Sequence, residues 1–119
     1  MTVTYKNGLI IDEAAVGADV TSFVIDSRGS DGCGITYKWT GTLVGSFSLE
    51  CLDDGNIAQP ATGTWVGWIP VNGATFNSTI TTGGGSDEDS FATTYHRYYR
   101  IVFTYSSGTG DLAVALNAG

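Results

Sequence analysis

The feature that most narrows what this chain can fold into is a two-residue rhythm. Ile35, Tyr37 and Trp39 alternate with Thr36, Lys38 and Thr40, and Phe47, Leu49 and Cys51 alternate with Ser46, Ser48 and Glu50. Further along, Tyr99, Ile101, Phe103 and Tyr105 share one phase, and Arg100 and Thr104 share the other. Leu112, Val114 and Leu116 are again in phase. Successive side chains of a strand point to opposite faces, so each run presents one apolar and one polar side. A helix would scatter the same residues around its circumference.

Turn signals separate the runs. Asn7-Gly8 lies between Val3–Lys6 and Leu9–Asp12, and Asn72-Gly73 lies between Trp68–Val71 and Ala74–Asn77. Asn-Gly accepts the positive φ values of a two-residue hairpin turn, so both sites predict hairpins. Pro70 cannot donate to a ladder, which places its strand at a sheet edge or a bulge. Glu13 to Asp19 reads as a loop and Val20 to Asp26 as a strand. Folding the Cys33–Cys51 segment at Gly41-Thr42-Leu43 sets Tyr37 against Phe47, Ile35 against Leu49 and Cys33 against Cys51. A shift of two residues keeps the apolar match, whereas a shift of one opposes Ile35 to Glu50. A turn at Gly108-Thr109 likewise opposes Tyr105 to Leu112, Phe103 to Val114 and Ile101 to Leu116, with glycine placed for a type II′ turn.

Composition agrees with strands. The 119 residues suffice for one domain with one core. Strand-favouring Thr, Val, Ile, Tyr, Phe and Trp recur, and charged residues are only 14% of the chain, fewer than disorder requires. The expected fold is all-β: a single antiparallel β-sandwich of about eight strands, with a jelly roll as one arrangement. Residues 1–19 form its N-terminal hairpin and loop, and residues 20–119 its main body.

The net charge of −7 narrows the partners. The basic residues are Lys6, Arg28, Lys38, Arg97 and Arg100, and only the last two are close in sequence. Binding to phosphate backbones or anionic membranes needs clustered positive charge, so neither nucleic acid nor membrane is an expected partner. Met1 to Lys6 carries no long apolar run of the signal-peptide kind, and no stretch approaches the roughly 20 apolar residues of a spanning helix. The expectation is synthesis in a cytoplasm without export, which leaves the sequon Asn77-Ser78-Thr79 to chance and favours free thiols at Cys33 and Cys51 over a bridge.

Several constellations bear on chemistry. His96 is the sole histidine, and no G-x-S-x-G elbow accompanies it. Two cysteines and one distant histidine do not make a zinc set. Asp53-Asp54-Gly55-Asn56 and Gly83–Asp89 lack the spacing of an EF-hand loop. The latter reads as a flexible glycine loop kept solvated by its acids. The pairs Asp12-Glu13, Asp53-Asp54 and Asp87–Asp89 would serve a glycoside hydrolase only if two carboxylates faced each other across a cleft, and solvated turns explain them better. Trp39, Trp65, Trp68, Tyr95 and Tyr98 offer material for a sugar platform, but aromatics of small β-domains mostly fill cores or interfaces. Gly108–Gly110 is no phosphate loop, because Asp111 to Leu116 alternates like a strand where a helix is needed. No catalytic residue, cofactor or metal is expected. Candidate interface residues are Trp65, Trp68, His96, Arg97, Tyr98 and Arg100, since tyrosine, tryptophan and arginine are enriched among interface anchors.

The segments FVIDSRGSDGCGITYKWTGTLVGSFSLECLDDG (Phe23 to Gly55), TWVGWIPV and RYYRIVFTYSSGTGDLAVALNAG, taken together, resemble small β-sandwich structural proteins of tailed bacteriophages. The resemblance covers roughly residues 20 to 119 and is a pattern of sheet-forming segments, without a catalytic signature. It implies a non-enzymatic virion component, a capsid decoration or cement protein assembled in the host cytoplasm. The partners it implies are the major capsid protein or other virion proteins, and further copies of the chain, a trimer by resemblance alone. The first hairpin and the Gly83–Asp89 segment depart from the shorter pattern. The alternative is a tail- or fibre-associated carbohydrate-binding module.

Overall fold

The structure, a computed structural model, describes residues 4–5, 7–27, 32–52, 68–71, 79–92 and 98–118. Among these there is no helix, and the strands lie in two sheets. One sheet has the order β2 (Asn7–Val16), β11 (Gly110–Ala118), β5 (Gly32–Trp39), β9 (Gly85–Ala92). The other runs β1 (Thr4–Tyr5), β4 (Val24–Asp26), β10 (Tyr98–Ser107), β6 (Val44–Leu52), β7 (Trp68–Pro70). In that second sheet β3 (Val20–Thr21) also pairs with β10, and β8 (Thr79–Ile80) also pairs with β6. All pairings are antiparallel except β1 with β4.

β3 and β4 act as one interrupted strand on β10, and β7 and β8 act as one on β6. Eight strands then remain beside the short β1. Numbered in chain order, they lie 1-8-3-6 in one sheet and 2-7-4-5 in the other, which is the order of a jelly roll. The expected β-sandwich and its jelly-roll arrangement are therefore present. Pro70 sits on the expected edge strand, since β7 ends its sheet.

The expected hairpins are not formed where the chain is described. β5 and β6 belong to different sheets, as do β10 and β11, and as do β1 and β2. Asn7-Gly8 lies inside β2, which makes the first segment part of the sandwich and not a separate hairpin. The Trp68–Asn77 hairpin falls partly outside the described residues. The physical reason is that a turn signal marks a reversal without stating whether the chain stays in its sheet. In a sandwich, two amphipathic strands bury their apolar faces equally well side by side or opposite one another.

The inward faces are those that the alternation predicts. Ile35, Tyr37, Phe47, Leu49, Tyr99, Ile101, Phe103, Leu112, Val114 and Leu116 are all buried. Their partners are exchanged. Phe103 pairs with Phe47 and Ile101 with Leu49 in one sheet, while Val114 pairs with Tyr37 and Leu116 with Ile35 in the other. Tyr37 still meets Phe47, now across the core, with ring centroids 4.8 Å apart, and Phe47 meets Phe103 at 5.3 Å.

The two arches that join the sheets, residues 40–43 and 107–110, are sewn together. Thr42 N–H donates to the Thr109 carbonyl (2.9 Å), Thr109 N–H to Thr42 Oγ1 (3.1 Å), Thr40 N–H to the Asp111 carbonyl (3.1 Å) and Asp111 N–H to Thr40 Oγ1 (2.9 Å). The expected loop at Glu13 to Asp19 is strand up to Val16, with an irregularity where Ala15 takes φ 49°. Its N–H donates to Asp111 Oδ1 at 3.0 Å, which stabilises a left-handed conformation costly for alanine.

The expected strand from Val20 to Asp26 is broken at Ser22, whose hydroxyl replaces a ladder carbonyl. Ile101 N–H donates to Ser22 Oγ (2.9 Å) and Ser22 N–H to the Ile101 carbonyl (2.9 Å), while Phe23 N–H crosses to the Ile10 carbonyl of β2 (3.0 Å). Ser22→Ala leaves the Ile101 donor buried without its acceptor, a loss of about 1–3 kcal/mol. Thermal denaturation is expected to show a melting temperature lower by on the order of 5–10 °C.

Candidate functional site

Trp68 and Arg100 come together on the outer face of the larger sheet, and Tyr98, two residues before Arg100 on β10, shares its phase. Arg100 has the opposite phase to the buried Tyr99 and Ile101, so β10 turns it outward beside Glu50 of β6. Trp68 is in register with Leu52, two positions from Glu50 on the same side of β6. Arg100 Nε lies 2.6 Å from Glu50 Oε1, and the side chains are 27% and 24% exposed. The guanidinium carbon stands 4.4 Å from the centroid of a Trp68 ring. The pair and the cation–π contact each contribute up to about 1 kcal/mol at such a half-exposed position. Their larger effect is to hold a planar donor group and an indole in one orientation.

Glu50 is not among the interface residues that the sequence suggests. It is the sole charged residue of β6 and shares the polar phase of Ser46 and Ser48, so its signal becomes legible once β6 is known to pair with β10. Trp65, His96 and Arg97 lie outside the described residues. Trp39, expected in core phase, packs partly buried on the core and donates Nε1–H to the Thr81 carbonyl at 2.8 Å.

A second feature is a trough on the outer face of the smaller sheet, a depression of about 450 Å³ bordered by Gly34, Thr36, Glu88, Ser90 and Asn117. It adjoins a smaller one of about 200 Å³ lined by Leu9, Lys38, Ala113 and Ala115, with Thr36 common to both. Thr36 stands in register between Glu88 of β9 and Ala115 of β11, and Gly34 between Ser90 and Asn117. The lining offers hydroxyl, amide and carboxylate groups over a floor of small residues.

The acidic groups are distributed at the margins. Asp12 and Glu13 lie exposed on β2, and Asp87, Glu88 and Asp89 lie on β9, so the two groups occupy opposite edges of the smaller sheet. The segment from Gly85 to Asp89, expected as part of a flexible loop, is strand, because β5 supplies a paired neighbour that local composition does not announce. Among the described residues no group of three or more His, Cys, Asp or Glu side chains is arranged to hold a metal ion. Asp53-Asp54-Gly55-Asn56 is outside them.

Cys33 and Cys51 do not share one sheet face as the hairpin reading required. They point inward from opposite sheets at the same end of the core. Cys33 is in register with Phe91 and Cys51 with Tyr99, and those two rings are 5.3 Å apart. Both are buried thiols, 3% and 1% exposed, and burial raises the pKa of Cys33 above its usual value. A thiol reagent at pH 8 is therefore expected to react within minutes only after denaturation, releasing two equivalents. Rapid labelling of the native protein would contradict this burial.

The strand order defines a jelly-roll domain, a class that serves viral capsids and lectins alike. A scan against protein-family models finds no match, and a search of curated proteins finds none. Among solved structures, the chain is similar to a family 6 carbohydrate-binding module, with 16% identity and a TM-score of 0.37 over 85% of this chain and 67% of that one. A likeness at this level carries no inference about what the present chain binds.

Proposed function

We propose that this chain is a non-enzymatic structural protein of a tailed-phage particle, a capsid decoration or cement protein assembled in the host cytoplasm. It acts through contacts with the major capsid protein or other virion proteins and with further copies of itself. The observation that carries the reading is the Arg100–Trp68–Glu50 cluster, a preorganised patch of anchor-type residues on an outward sheet face. Arg and Trp dominate binding hot spots, and holding them in place lowers the ordering cost of association. The segment resemblance over residues 20 to 119 supports the same class, and symmetric repetition on a lattice multiplies weak contacts.

Cryo-electron microscopy of purified particles tests it. The expected result is density for the chain at regular positions on the head, with occupancy lowered at least tenfold by Trp68→Ala combined with Arg100→Ala. Density confined to the tail would defeat the cementing role.

A tail- or fibre-associated carbohydrate-binding module is the second reading. The polar trough beside Thr36, Glu88, Ser90 and Asn117 favours it, since hydroxyl, amide and carboxylate groups suit sugar hydroxyls. Trp68 suits it less, because Arg100 already covers one face of the ring. A glycan array with the parent protein decides, and absence of any bound glycan removes this reading.

A further inference from the structure

We propose that the open edge of β9 is a docking edge for an extended, basic segment of another protein, and that Asp87 and Asp89 close the same edge to a second copy of this chain. β9 ends the smaller sheet. It pairs along its whole length with β5, and among the described residues no strand lies on its other side. An open edge of eight residues is a template for a further strand.

The register shows how this edge is guarded. Asp87 stands opposite Tyr37 and Asp89 opposite Ile35, so both aspartates share the phase of residues buried in the core. At the rim of the sandwich their carboxylates turn back to the backbone. Glu88 N–H donates to Asp87 Oδ1 and Ser90 N–H to Asp89 Oδ1, each at 2.8 Å. Residues two apart in a strand direct their N–H groups to the same side. Thr40 N–H bonds to Asp111 of β11, so by alternation Ile35 and Tyr37 bond to Asp89 and Asp87 of β9, and the N–H groups of Glu88 and Ser90 face the open edge, where an incoming strand would use them. Inward-phased charges are a recognised means of blunting an edge.

The guard is selective by charge. A second copy would bring Asp87, Glu88 and Asp89 against the same three carboxylates, and the whole chain carries −7. Like charges directly opposite destabilise a strand pair. A strand bearing lysine or arginine at alternate positions reverses the sign. Its cations draw the carboxylates away from the two N–H groups, which then become free to pair. The trough beside Glu88 and Ser90 accepts side chains on one face of the added strand, so backbone bonds supply affinity and the depression supplies selectivity. The docking edge belongs to the isolated chain and is tested without a phage particle. Its failure leaves the virion reading standing, and failure of that reading leaves the edge standing.

The probes are the peptides (Lys-Thr)4 and (Glu-Thr)4, with amide hydrogen exchange read residue by residue. The lysine peptide is expected to slow exchange at Glu88 and Ser90 at least tenfold, and the glutamate peptide to leave it unchanged. Asp87→Asn with Asp89→Asn retains acceptors for the two N–H groups and removes the charge. It is expected to bind the lysine peptide at least tenfold more weakly and to keep the oligomeric state of the parent protein. Asp87→Ala with Asp89→Ala removes acceptor and charge together and is expected to associate into a species of at least twice the parent's mass by size-exclusion chromatography with light scattering. Unchanged exchange in the β5–β11 ladder shows that each variant is folded. Protection by the lysine peptide elsewhere than β9, equal binding of both peptides, or an alanine variant that keeps the parent's mass at millimolar concentration would overturn the proposal.

Discussion

Phe103→Ala lowers the unfolding free energy by about 3–5 kcal/mol. Phe103 is fully buried at the centre of β10 and in register with Phe47. Its ring closes a chain of three, Phe103 to Phe47 at 5.3 Å and Phe47 to Tyr37 at 4.8 Å, which runs from one sheet to the other. It also fills the space that Gly45 leaves, since a Cβ at Gly45 would stand 2.3 Å from Phe103 Cζ. Truncation to alanine opens a cavity where two sheets must touch, and neither sheet can collapse into it without breaking its ladders. Domains are stable by only about 5–15 kcal/mol, so this one change removes a large share. Urea denaturation is the measurement, with Phe103→Leu as the comparison, expected to cost less than about 1.5 kcal/mol. An alanine variant that loses under 1 kcal/mol would contradict the ring chain as the centre of the core.

Gly108→Ala costs about 3–4 kcal/mol, and its size separates the observed arch from the expected hairpin. Gly108 has φ 76°, and a Cβ there would lie 1.8 Å from the Thr42 carbonyl oxygen and 2.5 Å from its carbon. The obstacle is backbone, which cannot swing aside like a side-chain end. Relief requires the two arches to separate, which breaks the paired bonds between Thr42 and Thr109. The left-handed conformation adds roughly 1–2 kcal/mol for a residue with a Cβ, and each lost bond about 1 kcal/mol. A free two-residue hairpin turn would lose the conformational part alone. Gly34→Ala is the control. Gly34 lacks a positive φ, and its Cβ would meet nothing closer than 3.9 Å, so the change is expected to be neutral or to stabilise by up to about 1 kcal/mol. Equal destabilisation at both positions would argue against the seam between the arches.

Much of the candidate site was legible without coordinates, and the illegible parts have identifiable causes. The alternation placed Arg100 outward, opposite in phase to Tyr99 and Ile101, and the structure has it there. What it meets was hidden, because Glu50 lies fifty residues away and no local pattern links the two positions. The acidic run at Asp87–Asp89 looked like a solvated loop, because glycine and aspartate are poor strand formers. It is a strand because β5 offers a complete ladder and because an edge accepts charges that an interior strand would not. Ala15 at φ 49° and the Ser22 hydroxyl inserted into a ladder leave no mark in composition, since both depend on a partner from a distant segment.

The sequence by itself determined which side of β5, β6, β10 and β11 is wet and which is dry, and where the chain reverses between β5 and β6 and between β10 and β11. Those are local properties. Side-chain polarity with a period of two selects a face, and Gly-Thr-Gly or Trp-Thr-Gly-Thr stops a strand wherever the strand belongs. Only the tertiary structure decided which strands are neighbours. Backbone N–H and C=O groups are the same at every residue, so a ladder carries no side-chain address, and Phe103 can pair with Phe47 as readily as with Val114. The choice falls to the packing of two closed faces against each other, with Tyr37 over Phe47 and the two arches laced at one end. That choice turned three expected hairpins into crossings between sheets, set the Arg100 cluster on one outer face, and left β9 as the exposed, acid-guarded edge of the other sheet.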